Sequence, residues 1–522
     1  MTNFNGSLKR HRLRALLALL FAFSLIAAAC GDDGDDDATS DTADETAADD
    51  GADDSADDDG ADDADDTADD ADEPAEPSGD DMVRLGIMAE CEGAFGGFHE
   101  DVTAGAIFAL IRHAGATSNS TTTALDGFAD AMAGGVPIEL VGIGCGDDTA
   151  DRAIQEIRTL VEEQGANVVI GPLSGDEGIA IANYALDHPE VTFINGISGA
   201  QDATLHVQAP NFFRFNGDGA QWNAGIGSIL FSDAGWETAA VIADDYGFGW
   251  TSAAGFVADF CAAGGQITSQ VFPPLGTTDY SSFVQQLPDP DEVDGYFWVI
   301  GGTGTNASLE AFLNAKGDLT GDQHAGNLFF SPALAEALGT DIAGAYVGGF
   351  ASLPGDISTP EIEAYLADAD AAWETLGGGL SGGEPDAPSL AMGFGFAYGY
   401  YTAGLAMVQA LEEVGGDLSN NHAALREALA SITIDAPYGP ISLDDNRQAI
   451  VDTFVAQLVL DEGSGEVVQE TVAIVPGVDQ TFGGTYSSDT DPPERDNTPC
   501  ETRDLPWQGN EIPVVDGVPQ GG

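Results

Sequence analysis

Basic residues are what this chain has least of. Its 522 residues include 14 Lys and Arg against 89 Asp and Glu, a formal net charge of −75. Lysine occurs only at Lys9 and Lys316. Nucleic acids and anionic membrane surfaces need a basic footprint, so both are excluded as partners. Catalytic signatures are missing too: no HExxH, GxSxG or Walker loop is present. Of seven histidines, His99 alone falls on a candidate site loop, where a surface role outweighs a catalytic one. An enzyme is therefore not expected. No CxxC pair exists to hold zinc. The acidic run before Gly60 puts Ser55 where a calcium loop needs its first Asp, and no Glu follows at the required spacing. Gly302-Thr303-Gly304-Thr305-Asn306-Ala307 matches GxGxxA, but 68 glycines make such matches cheap. Neither metal nor cofactor is expected.

The N-terminus places the chain. Lys9, Arg10, Arg12 and Arg14 precede an apolar stretch over residues 16–29, too short to span a ~30 Å hydrocarbon core permanently. It ends Ile26-Ala27-Ala28-Ala29-Cys30, so residues 1–29 read as a signal peptide. The terminal cysteine resembles a bacterial lipobox, in which the thiol takes a diacylglycerol and becomes the new N-terminus. Acyl chains at ~0.8 kcal/mol per buried CH₂ make such anchoring lasting. Residues 30–81 are almost wholly Asp, Ala, Gly, Thr and Ser. They cannot bury enough apolar surface to offset their ordering entropy, and their charges repel. They read as a disordered tether with a ceiling on the order of 150 Å. The expected location is the outer face of the cell membrane, held by lipid alone.

From Val83 onward, short apolar strands alternate with helical periods. Strands are expected at 83–88, 138–143, 167–170 and 191–194, with helices at 101–113 and 151–164. In the latter, Ile154, Ile157, Leu160 and Val161 share one face and Gly165 is a stop. The rhythm restarts after Phe213, with strands at 239–243, 267–272, 295–300 and 328–330. Helices at 250–263, 281–287, 307–314, 360–376, 390–414 and 423–431 follow, with a strand pair near 441 and 454–460. This βα alternation argues for parallel sheets covered on both faces, repeated in two halves.

In open α/β sheets, ligands bind beyond the carboxyl ends of the strands. That rule selects loops 89–99, 144–148, 171–178 and 195–200 in the first half, and 244–250, 301–306 and 331–333 in the second. Gly171-Pro172-Leu173-Ser174-Gly175 follows a strand and opens a helix, so free amides and a hydroxyl suit an anionic guest. Alternatively, Ser174 simply caps its helix.

Several segments carry a family likeness in order. They are Gly171-Pro-Leu-Ser-Gly175, Phe193-Ile-Asn-Gly-Ile-Ser-Gly199, Asn211-Phe-Phe-Arg214, Asp244-Asp-Tyr-Gly-Phe-Gly249, Thr278-Asp-Tyr-Ser-Ser-Phe283, and Tyr438-Gly439 ahead of Asp444-Asp-Asn-Arg-Gln448. Over roughly 350 residues the chain resembles the type I periplasmic binding proteins of the leucine/isoleucine/valine class, the receptors of ABC importers. The resemblance implies an α/β fold of two Rossmann-like lobes with parallel sheets and a three-crossing hinge near 211–216, 346–354 and 437–443. The lobes would comprise 82–212 plus 348–436 and 213–347 plus 437–485, with a tail at 486–522. It implies a monomer that binds a small carboxylate-bearing ligand, such as an amino acid, and delivers it to ABC permease subunits. A ligand-sensing lipoprotein is the other reading. Ser174, Gly175, Ser198 and Gly199 would hold the carboxylate, and Tyr246 would pack on the ligand from the second lobe. Gly302 and Thr303 would close on it. The acidic residue that such proteins place after a second-lobe Gly-Pro is absent from Ser331-Pro332-Ala333, so Glu90 or Glu92 would meet an ammonium, Glu92 being taken as the contact. Phe95, Phe98, Trp222, Tyr246 and Phe248 suit an apolar or aromatic ligand. The lobes should open and close about the hinge.

Four cysteines remain after Cys30, and they allow three pairings. Cys91 and Cys145 follow strands expected to be neighbours, ~4.8 Å apart. That favours Cys91–Cys145 and leaves Cys261–Cys500.

Overall fold

The computed structural model describes residues 82–317, 320–327, 338–349, 353, 355–377, 387–495 and 500–520. The signal peptide, Cys30, the tether, the strand at 328–330 and the loop at 331–333 lie outside the described residues.

The first sheet has six strands, ordered β2-β3-β1-β4-β5-β6. These are β1 (Val83–Glu90), β2 (Met132–Ala133), β3 (Val136–Gly146), β4 (Val168–Ile170), β5 (Thr192–Asn195) and β6 (Phe212–Arg214). All pairings are parallel except β2 with β3. Central β1 is buried at seven of its eight positions, the continuous apolar run expected of a strand covered on both faces. Helices α1 (His99–His113), α2 (Ala150–Arg158) and α3 (Gly175–Asp187) follow β1, β3 and β4. Thr149 caps α2 by accepting from the Arg152 amide at 3.3 Å. A π-helical turn at Thr159–Glu163 follows, and Gly165 ends the segment at φ +75° as expected.

The second sheet has eleven strands and is mixed. Strands β7 (Thr238–Ala243), β8 (Gln266–Val271), β9 (Gly295–Val299), β10 (His324–Gly326) and β11 (Tyr346–Gly348) are parallel. They are joined by β12 (Ile434–Ala436), β13 (Gly439–Leu443), β14 (Ala449–Leu460), β15 (Val467–Val478), β16 (Ile512–Val515) and β17 (Val518–Pro519), all antiparallel to their partners. The parallel strands expected in this half are thus present and are extended by antiparallel ones, because hairpin connections, unlike helical crossovers, return the chain antiparallel. The second lobe also carries α4 (Ile226–Ser232), α5 (Gly247–Ala263) and α6 (Gly304–Lys316).

The chain leaves the first sheet after Arg214, comes back after β11 as helices that pack against it, and re-enters the second sheet through β12 and β13. The return brings α7 (Gly395–Val414) against α1. The two backbones meet at Gly105, where a Cβ would stand 2.0 Å from the Ala397 carbonyl oxygen. The single helix expected at 390–414 is broken instead, since a short helix ends at Met392 and Phe394 is extended at ψ 139°. The C-terminal tail is docked. Trp507 is buried and donates to Asp259 Oδ1 at 2.7 Å, and Cys500 is bonded to Cys261. The other bond joins Cys91 to Cys145. No described helix is long and apolar enough to cross a membrane.

Candidate functional site

The carboxyl ends of the two parallel sets face each other, and loops from both meet there. Thr303 donates its amide to the Ala94 carbonyl at 3.2 Å, and the Gly247 amide donates to Asp176 Oδ1 at 2.9 Å. Gly302 sits at φ +55°, and a Cβ there would stand 2.1 Å from the Ala94 oxygen, so only glycine permits this approach.

The N-terminus of α3 is occupied by the chain itself. Glu90 Oε1, at the end of β1, accepts the amides of Leu173 at 3.0 Å and Ser174 at 2.6 Å. These amides are the ones that sequence reasoning reserved for a ligand carboxylate. Ser174 does not cap α3, and its Oγ, fully buried, has no hydrogen-bond partner. Gly175 lies beneath the second lobe, where a Cβ would be 2.8 Å from the Phe248 nitrogen.

Around Glu90 the structure gathers further carboxylates. Glu177, in the first turn of α3, accepts the amides of Asp147 at 3.1 Å and Asp148 at 2.9 Å, and its carboxyl lies beside that of Glu90. Burial, then their mutual repulsion, pushes the Glu177 carboxyl up, and burial does the same to Glu90. One proton shared between them is the natural state. Asp148 Oδ2 takes the Ala94 amide at 2.5 Å, and burial pushes Asp148 up to about 6. From the second lobe, Asp244 Oδ2 takes the Gly301 amide at 2.9 Å. Burial pushes Asp244 up to about 8, with Asp148 adding to the shift. Asp148 Oδ1 and Asp244 Oδ1 are buried without partners.

Aromatic rings line the same region. Phe95 lies 6.4 Å from both Phe98 and Tyr246 and 6.1 Å from Phe396. Phe98 stacks on Phe394 at 5.9 Å. Tyr246, 5.9 Å from Phe248, leads on to Trp222. Its hydroxyl is pushed well up by burial and then by Asp244, Asp148, Asp176 and Glu90, which places it among those carboxylates.

Of the residues expected at the site, Ser174, Gly175, Tyr246, Gly302 and Thr303 come together here. Ser198 and Gly199 lie at the joint between lobes: Ser198 Oγ donates to Asn195 at 2.6 Å, and the Gly199 carbonyl accepts from Gly219 at 2.8 Å. Glu92 is exposed, and Glu90 is the buried carboxylate of that loop. Sequence reasoning missed Asp148, Glu177 and Asp244 as residues, although all three fall on loops selected by the strand-end rule. It also missed Phe394 and Phe396, which the break before α7 brings in. His99 is half-buried rather than on the surface. A groove of about 420 Å³ lined by Ser228, Phe231, Val472, Gln508 and Glu511 lies beside β15 and the tail, away from these loops.

A family model described as periplasmic binding protein matches residues 83–465. An ABC-transporter solute-binding protein from R. palustris, in complex with benzoate, matches with a TM-score of 0.61 at 18% identity, over 76% of this chain and 97% of that one. A substrate-binding protein of an ABC transporter from Sphaerobacter thermophilus gives 0.60 at 21% identity, over 76% and 99%. A leucine binding protein from Thermotoga maritima gives 0.56 at 17%, over 76% and 99%. At these identities the likeness is one of fold. No curated protein matches the chain.

Proposed function

The chain belongs to the periplasmic binding protein family, and from that premise we propose that it is the extracytoplasmic receptor of an ABC importer, closing two lobes on a small solute. Members of this family bind solutes and are not enzymes, so the buried acidic groups serve as contacts rather than as catalysts. The observation that carries the reading is the meeting of strand-end loops from both sheets, Ala94 with Thr303 and Asp176 with Gly247. Such contacts exist only when the lobes are together, which lets a ligand bridging them shift an open–closed equilibrium. Lipidation at Cys30 would tether the body at the membrane, and residues 30–81 would lift it toward permease subunits. Ser174, Tyr246, Gly302 and Thr303 are the proposed contacts, with Glu90 in place of Glu92.

A thermal-shift screen of small amines, carboxylates and sugars on the full chain tests this. A binding solute at 100 times its Kd adds ~2.7 kcal/mol of stability. The expected hit loses its effect in Tyr246→Ala and keeps it in Phe231→Ala, on the distant groove. The opposite pattern would move the site out of the cleft.

A further inference from the structure

We infer that the solute is a small organic cation, an ammonium-bearing molecule without a free carboxylate, held between the cleft carboxylates and the rings around Phe95. This rests on the interlobe receptor reading above and names the chemistry of its ligand.

Four observations converge. First, the helix N-terminus that would receive a ligand carboxylate already holds Glu90, through the Leu173 and Ser174 amides. An incoming carboxylate would have to displace it or stand beside it. Second, each lobe contributes a buried aspartate with one oxygen tied to backbone and the other unpartnered. Asp148 is 8% exposed and Asp244 2%. Ser174 Oγ, 0% exposed, is unpartnered beside them. Ionised, the two aspartates are acceptors, and a positively charged donor both satisfies them and favours that ionised state, with the Ser174 hydroxyl able to accept as well. Third, no described lysine or arginine neighbours Glu90, Asp148, Glu177 or Asp244. Buried carboxylates without a counter-charge are costly to hold, and a bound cation removes that cost. Fourth, the Phe95, Phe98, Phe396 and Tyr246 rings adjoin the carboxylates. Ring faces attract a desolvated ammonium and offer nothing to an anion. The charge of this guest is opposite to that of the benzoate held by the R. palustris protein.

Benzylamine and benzoate, similar in ring and opposite in charge, form a matched pair of probes, with leucine as the zwitterion. Calorimetry on the full chain should find benzylamine bound at least about tenfold more tightly than either. Asp244→Asn should weaken benzylamine by a further tenfold or more while leaving benzoate no weaker. A cooperative melt of that variant checks that it is folded, and Glu177→Gln provides a second variant expected to act in the same direction. Benzoate or leucine binding as tightly as benzylamine, or no heat from benzylamine at its highest soluble concentration, overturns the cation inference. If the tighter probe is lost in Tyr246→Ala, the receptor reading survives that failure. Benzylamine binding indifferent to both Asp244→Asn and Tyr246→Ala would instead overturn the interlobe site itself.

Discussion

Two buried polar clusters lie in this body, and they are built in opposite ways. At the first crossing, Arg214 is fully buried and every arm is matched. Nε donates to Gln448, Nη1 to the Ser198 and Ala200 carbonyls at 3.0 and 2.7 Å, and Nη2 to Thr204 at 2.7 Å. Asp218 stands 3.9 Å from Nη2 and takes the amides of Ala220 and Gln221 at 3.0 and 2.9 Å. Burial lowers the guanidinium to about 10, which leaves it charged at neutral pH. In the cleft, by contrast, four carboxylates face one another with no cation among the described residues. The hinge cluster balances itself and so holds the crossing in place. The cleft cluster carries a charge imbalance that a guest could resolve, and the binding proposal rests on that difference.

Breaking each cluster should therefore move stability in opposite directions. Arg214→Met strands buried Asp218 and several acceptors, and should cost ~3–5 kcal/mol in denaturant unfolding. Glu177→Gln keeps an acceptor for the Asp147 and Asp148 amides and donates to Glu90 without needing a shared proton. It should raise stability at pH 8 by ~1–3 kcal/mol; a loss would mean that Glu177 is balanced by something unseen. Ser174→Ala removes a hydroxyl that bonds to nothing, so the free protein should change by no more than ~0.5 kcal/mol. A larger loss would show that the hydroxyl is part of the fold.

The same contrast explains what the sequence could reveal. Period and punctuation located β1, α2 and the loops after each strand, because burial on both faces writes itself as apolar runs and helix ends as glycine. Both disulfides were legible from strand adjacency and elimination. Of the antiparallel half of the second sheet, only the strands near 441 and 454–460 were, while β15 was not, because it carries Pro476-Gly477 near its end. Arg214 is bonded to Gln448, 234 positions along the chain, and no local pattern encodes such a pairing. In the cleft the loops were found but the residues were not. Glu90 and Glu92 differ by two positions in sequence, and only the strand's last step turns one inward and leaves the other in solvent.

The central claim is that the protein itself leaves the cleft carboxylates uncompensated, and Asp244 tests it most directly. Its carboxyl is raised from 3.8 to about 8 in the folded state, so between those values the native protein binds the extra proton. Stability from this group is therefore highest at acid pH and falls as pH rises, by up to ~1.4 kcal/mol per pH unit, levelling above pH 8. Asp244→Asn removes that dependence while keeping an acceptor for the Gly301 amide. Urea unfolding of the full chain and of the variant, at pH 4, 6 and 8, should show the variant gaining steadily on the parent as pH rises. A variant that is equally destabilised at all three values would contradict the account.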